Sequence, residues 1–363
     1  MDAPVTSGHK HDAGTISGFA NTQIAYRGLV LRRLVIIALL FVLLLVSFGY
    51  DVVTGSSGMS AADLLNGIFH AGDLSPTDRV IIWNVRLPFA LMAVLVGASL
   101  SLAGAEMQVI LNNPLASPFT LGVASAAALG ASTVIVFHLA LSWLPYNWLV
   151  SLAAFVFAFG SVLLLDALSR LRAGNMETMV LLGIALVFSC NAVILLFQLM
   201  ATEDVLQQLV FWSVGSLARA NWDKVAVLAI TLTVVMPLSF GAAGQMTALR
   251  MGEERAISFG IDVVRLRYLS LLRVSLLSAI AVAFVGTIGF IGLVGPHIAR
   301  LLVGEDQRFT LPASALVGAL LLSLASITSK IVLPGLVVPV GIVTALVGVP
   351  LFVILIFNGR PSR

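Results

Sequence analysis

The chain has 363 residues, of which 59% are hydrophobic and only 10% charged, whereas a water-soluble domain is usually about a quarter charged. Its formal charge of +3 is too small to point to nucleic acid, and a lone cysteine, Cys190, excludes an intrachain disulfide or a thiolate cluster for a metal. With a mean hydropathy of +1.06, the composition is that of an all-α, polytopic membrane protein.

The N-terminal segment MDAPVTSGHKHDAGTISGFANTQIA is polar and lacks an apolar core. It reads as a disordered tail over 1–28 rather than a cleaved signal, and 29–363 as one transmembrane domain. His9 and His11 in the tail make a poor metal site by themselves. Apolar stretches near the roughly 20 residues that a membrane-crossing helix needs then follow at 30–50, 87–110, 119–141, 147–168, 177–201, 223–243, 268–290, 293–303, 311–329 and 340–357. The eighth is too short to span alone and shares depth with the seventh. Two further pieces read as partial helices: 203–218, and LPGLVVPVG before the last span, where Pro334, Gly335, Pro339 and Gly341 break regular helix.

Basic residues set the orientation. With a cytoplasmic N-terminus, 15 of the 20 lysines and arginines fall inside, and Arg79, Arg86, Arg219, Lys224 and Lys330 fall outside, which places both termini in the cytoplasm. In GTIGFIGLVGPHIARLLVGED, Arg300 then ends a short span at the inner surface, with Glu305, Asp306 and Arg308 following in water. Gly286, Gly289, Gly292 and Gly295 recur every three residues and, with Pro296, predict a bend between the seventh and eighth spans. Two small-residue stripes, Gly97/Ser101/Ala105 and Gly122/Ala126/Gly130, predict close helix packing.

The longest polar segment inside the membrane domain is TALRMGEERAISFGIDVVRLR, Thr247 to Arg267. It reads as two short cytoplasmic helices punctuated by Gly252 and Gly260, with Glu253 and Glu254 at a helix start. The residues alone fit an ordinary solvated connection or a docking element, and Ala256, Ile257 and Phe259 form a small apolar face suited to the second. Enzyme chemistry has no support: there is no phosphate loop of the G-x-x-x-x-G-K-[ST] type and no H-E-x-x-H helix, so ATP is not held by this chain in that way. Glu106 is an acid within a span; helix-to-helix hydrogen bonding or a hydrated inner mouth is weighed above a proton relay.

Five stretches carry a resemblance: RLPFALMAVLVGASLSLAGAEMQVILNNPLASPFTLGVASAAALGAS from Arg86, FWSVGSLARANWDKV from Phe211, MGEERAISFGID from Met251, GFIGLVGPHIARLLVGEDQR from Gly289 and PVGIVTALVGVPLF from Pro339. Together they resemble the FecCD-type permease subunits of bacterial ABC importers for ferric siderophores, haem and cobalamin. The likeness implies the type II importer fold, about ten transmembrane helices per subunit, in the cytoplasmic (inner) membrane. Implied partners are a second permease subunit, identical or paralogous, two cytoplasmic ATPase subunits that carry ATP and Mg, and an extracytoplasmic substrate-binding protein. It also implies ATPase coupling through Gly252, Glu253, Glu254, Arg255, Ala256 and Gly260. Docking of the binding protein falls to Arg86 and Lys330, with Arg79 a further basic candidate because Phe89 and Val337 depart from the family pattern. The path is lined by the fifth and tenth spans near Gln198 and Thr344. The expected function is ATP-driven import, a ferric siderophore being favoured over haem or cobalamin. The competing class is a proton-coupled secondary transporter using Glu106 and His297.

Overall fold

The computed structural model describes residues 12–55, 67, 75–171, 176–333 and 335–358, and these are helical but for short connections and two isolated bridges, Leu141 to Leu144 and Leu333 to Leu336. In chain order the helices are α1 (Asp12–Val53), α2 (Pro76–Ile110), α3 (Val123–Val136), α4 (Tyr146–Leu171), α5 (Met176–Met200), α6 (Glu203–Ser213), α7 (Trp222–Gly241), α8 (Ala243–Arg250), α9 (Glu253–Ser258), α10 (Val263–Val285), α11 (Ile291–Val303), α12 (Gln307–Ile331) and α13 (Val340–Asn358). Among the described residues seven of these are long and apolar enough to cross a membrane, and α3, α11 and α13 supply shorter apolar helices. That makes ten apolar helices in the places the hydropathy predicts.

Four expectations need correction. The first helix begins at Asp12 rather than near residue 29, so the part of the N-terminal segment within the described residues, 12–28, is helical; once the apolar span has nucleated a helix, each added residue gains a backbone hydrogen bond and no proline interrupts. Residues 1–11, with His9 and His11, lie outside the described residues. The LPGLVVPVG piece is not a partial helix: a turn with Gly335 at φ 82° precedes Val340, where α13 starts. Gly122 packs against α5 as its stripe predicts, but from the N-cap of α3 rather than from within the helix, at φ 81°, a left-handed conformation that favours glycine.

The fourth concerns Pro296. The bend is real, running from Gly286 (φ 83°) to Phe290 (φ 66°), but Pro296 sits inside α11. Lacking an N–H, Pro296 leaves the carbonyl of Gly292 without its helical donor, and that carbonyl lies against Gly104 of α2, where any side chain would collide with it. The proline therefore belongs to a helix contact rather than to the bend.

That contact is part of the core. The apolar window of α2 is 83% buried, the highest value of any span, whereas those of α1 and α5 are 11% buried and face outward. Lipid gives no hydrophobic drive between helices, so close approach needs small residues. Gly97 meets the backbone of Gly318 on α12, and Ser101 Oγ donates to the Ser314 carbonyl at 2.6 Å. On the far side of α3, Gly130 packs on the backbone of Ala153 in α4. Within α2, Pro88 cannot donate to the Asn84 carbonyl, and the helix widens to a π turn over Ile81–Arg86.

Candidate functional site: a polar hairpin and two buried ion pairs

The segment from α8 to the start of α10 forms a hairpin at one end of the helix bundle. α8 continues α7 through Ala242 and ends at Arg250; Gly252, at φ 116°, reverses the chain into α9. α9 closes with a Schellman arrangement: Ile261 N–H donates to the Ala256 carbonyl at 3.1 Å and Gly260 N–H to the Ile257 carbonyl at 2.9 Å, with Gly260 at φ 79°. Asp262 then caps α10, its carboxylate accepting from Arg265 N–H at 2.9 Å. Each end of α9 is thus fixed by backbone geometry that only a few residue types tolerate.

Side chains brace the hairpin. Glu253 takes both guanidinium nitrogens of Arg267, at 2.7 and 3.3 Å, which ties α9 to α10. Arg250 pairs with Glu305, and Thr247 Oγ1 accepts from Gln307 N–H at 3.0 Å, tying α8 to the corner between α11 and α12. In that corner Asp306 caps α12 and is gripped by Arg308 at 2.7 Å, which with Arg33 holds its carboxyl below the usual carboxylate range. Ala256 is fully buried and does not belong to the expected apolar face; it anchors α9 inward. Ile257 and Phe259 remain outward, 58% and 65% exposed, with Met251 and Val264 beside them. Glu254 and Arg255 are exposed as well. The hairpin is a braced element presenting bare apolar side chains among charges.

Glu106 is fully buried and receives Arg273 Nε and Nη2 at 2.8 to 3.2 Å, the guanidinium also donating to Ser270 Oγ at 2.8 Å. The expectation of helix-to-helix bonding holds and the hydrated inner mouth does not. Arg273 correspondingly lies within α10 and faces α2. A second pair joins α1 to α12 near the other end: Lys330 Nζ donates to Asp51 Oδ1 at 2.7 Å, and Ser326 Oγ donates to the same carboxylate at 2.8 Å. Neither Arg273 nor Asp51 stands out in sequence as a partner; the one available signal is that a charge within a span needs a counter-charge.

The basic residues expected at the outer face divide. Arg86 is buried and donates to the last carbonyls of α1, Val52 at 3.0 Å and Val53 at 2.7 Å, groups that a helix end leaves unpaired. Lys330 is buried against Asp51 and lies over the Phe89 ring, 4.6 Å from its centroid. Arg79 is exposed. Phe89, one of the two departures from the family pattern, gives Lys330 an aromatic face. Gln198 and Thr344 are not brought together: Gln198 lines a cleft of about 520 Å³ between α3, α5 and α6, whereas Thr344 borders one of about 140 Å³ beside Phe290.

Comparison with known proteins gives a consistent pattern. The model of the FecCD transport family matches residues 39–358. The hemin transport system permease of Yersinia pestis is 36% identical over 78% of this chain and 85% of its own. An Fe(3+)-citrate import permease of Bacillus subtilis is 34% identical over 91% and 96%, and the vitamin B12 import permease of Vibrio cholerae 34% identical over 79% and 86%. A solved metal-chelate type ABC transporter in an inward-facing conformation superposes with a TM-score of 0.79 at 29% identity, over 89% of this chain and 99% of that one.

Proposed function

The chain belongs to the FecCD transport family and is a permease of an ABC importer; on that premise we propose that it moves an iron chelate of the siderophore class inward by alternating access, driven by two separate ATPase subunits. Haem and cobalamin are the other cargoes that the names of its relatives carry. The α8–α9 hairpin faces the cytoplasm in this reading, and both termini lie on that side. ATP and Mg reside on the partners, since the chain lacks a phosphate loop of its own.

The observation that carries the reading is the braced hairpin with its exposed Ile257 and Phe259. A lever must be stiff, and the paired glycine turns and the Glu253–Arg267 fork provide stiffness. It must also be gripped, and apolar side chains amid Glu254 and Arg255 offer a partner both burial and charge pairing. Gly252, Glu253, Ala256 and Gly260 accordingly shape the lever, while Glu254, Arg255, Ile257 and Phe259 face the motor. Movement of the hairpin passes to α11 and α12 through Arg250–Glu305 and to α10 through Arg267. At the opposite end the exposed Arg79 meets the binding protein, and Arg86 and Lys330 hold the helix ends beneath it. The path runs between this chain and a second permease subunit, near Gln198 and Thr344.

Co-purification with the ATPase subunits tests the grip. Ile257→Asp with Phe259→Asp should abolish the association while the permease keeps its thermal unfolding temperature. Association of the double variant at the wild-type level would overturn the docking role.

A further inference from the structure

At the end of the bundle opposite the hairpin, a cavity of about 940 Å³ opens between the starts of α4 and α7, helix α6 and the turn Leu217–Arg219. Two cations line it. Lys224 is 5% exposed, and among the described residues its Nζ makes no hydrogen bond or ion pair; it lies over the Phe284 ring, 5.9 Å from the centroid. Arg219 lies over the Trp212 ring at 5.7 Å and donates through Nη2 to the Phe211 carbonyl at 2.7 Å, but its Nη1 is buried with no hydrogen-bond partner. Asp204 borders the cavity yet pairs with neither.

This differs from two other buried cations among the described residues. Arg273 has Glu106 and Lys330 has Asp51, each at hydrogen-bond distance. Taking an unpaired cation out of water costs several kcal/mol, and two cations in one cavity also repel each other. Such an arrangement is stabilised by an anion in the cavity that both residues line. The cavity is several times larger than a bare ion, the amides of Gln207, Gln208 and Asn147 line it, and Trp148 and Trp212 give it apolar walls. Two cations, amide donors and aromatic surface together match a phosphate ester, whose oxygens take the charges while its organic part lies on the rings.

We propose that this cavity is a phosphate-binding site in which Lys224 and Arg219 hold the oxyanion. The chemistry is shared by an anionic phospholipid headgroup and by a free phosphate, and the test separates them. The full chain, purified in neutral detergent, is exposed to phosphatidylglycerol or phosphatidylcholine, and retained lipid is counted by native mass spectrometry. In parallel, inorganic phosphate is titrated against tryptophan fluorescence, with chloride at equal ionic strength as control. Retention of phosphatidylglycerol over phosphatidylcholine supports the site with a headgroup as occupant; a fluorescence change with phosphate that chloride does not give supports it with a free anion. In either arm Lys224→Met and Arg219→Gln should each weaken binding about tenfold or more, the usual effect of losing a charge-assisted hydrogen bond, and Lys224→Arg should retain it. Arg219 is only half-buried, so Arg219→Gln keeps the test decisive if Lys224→Met does not fold. Binding of neither probe above its control, or binding unchanged in Arg219→Gln, would overturn the proposal.

Discussion

A single intramembrane carboxylate decides between two ways of driving transport. A proton relay needs a carboxylate within reach of a proton donor and acceptor along the path, but both Glu106 oxygens accept from Arg273 and the side chain is closed off from solvent. Its role here is to join α2 to α10. Removing one partner from a buried pair leaves an uncompensated charge and costs about 3–5 kcal/mol, whereas replacing both with apolar residues of similar size can be nearly neutral. Glu106→Ala should therefore lower the unfolding temperature of the purified permease sharply, and Glu106→Met with Arg273→Met should recover most of it and retain ATP-dependent uptake. A relay predicts that the double variant is dead however well it folds. The sequence exposes Glu106 as an oddity but not its partner, since the two are 167 positions apart and only the packing of α2 on α10 joins them. The burial of Arg86 and of the Lys330 side chain is hidden for the same reason: a basic residue near a span end looks alike whether it meets solvent or a neighbouring helix.

Elements are more legible than residues. Ten apolar helices lie where hydropathy places them, because length and apolarity are local properties that the membrane fixes. Punctuation by glycine and proline is legible in kind but not always in place. Gly252 and Gly260 bound α9 as their spacing implies, with φ of 116° and 79°. Pro296 looks like the cause of the bend and is instead what frees the Gly292 carbonyl to lie on Gly104. Which glycine is a hinge and which a contact depends on what packs beside it. Because Gly104 is closed against backbone, which cannot move aside as a side chain can, Gly104→Val should force α2 and α11 apart. Overpacking of this kind costs about 1–3 kcal/mol or more, and the yield of folded protein in size-exclusion chromatography should fall. Gly244→Val, at a glycine with open space around it, is the control and should leave the yield unchanged.

At the scale of the whole molecule, the chain is a helical frame around α2 with a braced hairpin at one end and a cation-lined cavity at the other. The α8–α9 hairpin is coupled to that frame at two points, Arg250–Glu305 and Glu253–Arg267, so force applied there reaches α10, α11 and α12 together. In the proposed function the force comes from separate ATPase subunits, the sequence having no phosphate loop of its own. The permease reconstituted in vesicles with its ATPase subunits and binding protein, and loaded with a radiolabelled ferric siderophore, measures this directly. Uptake should require ATP and stop when the phosphate-loop lysine of the ATPase is replaced; uptake by the permease alone, or uptake that survives that replacement and collapses with the proton gradient, would contradict the account.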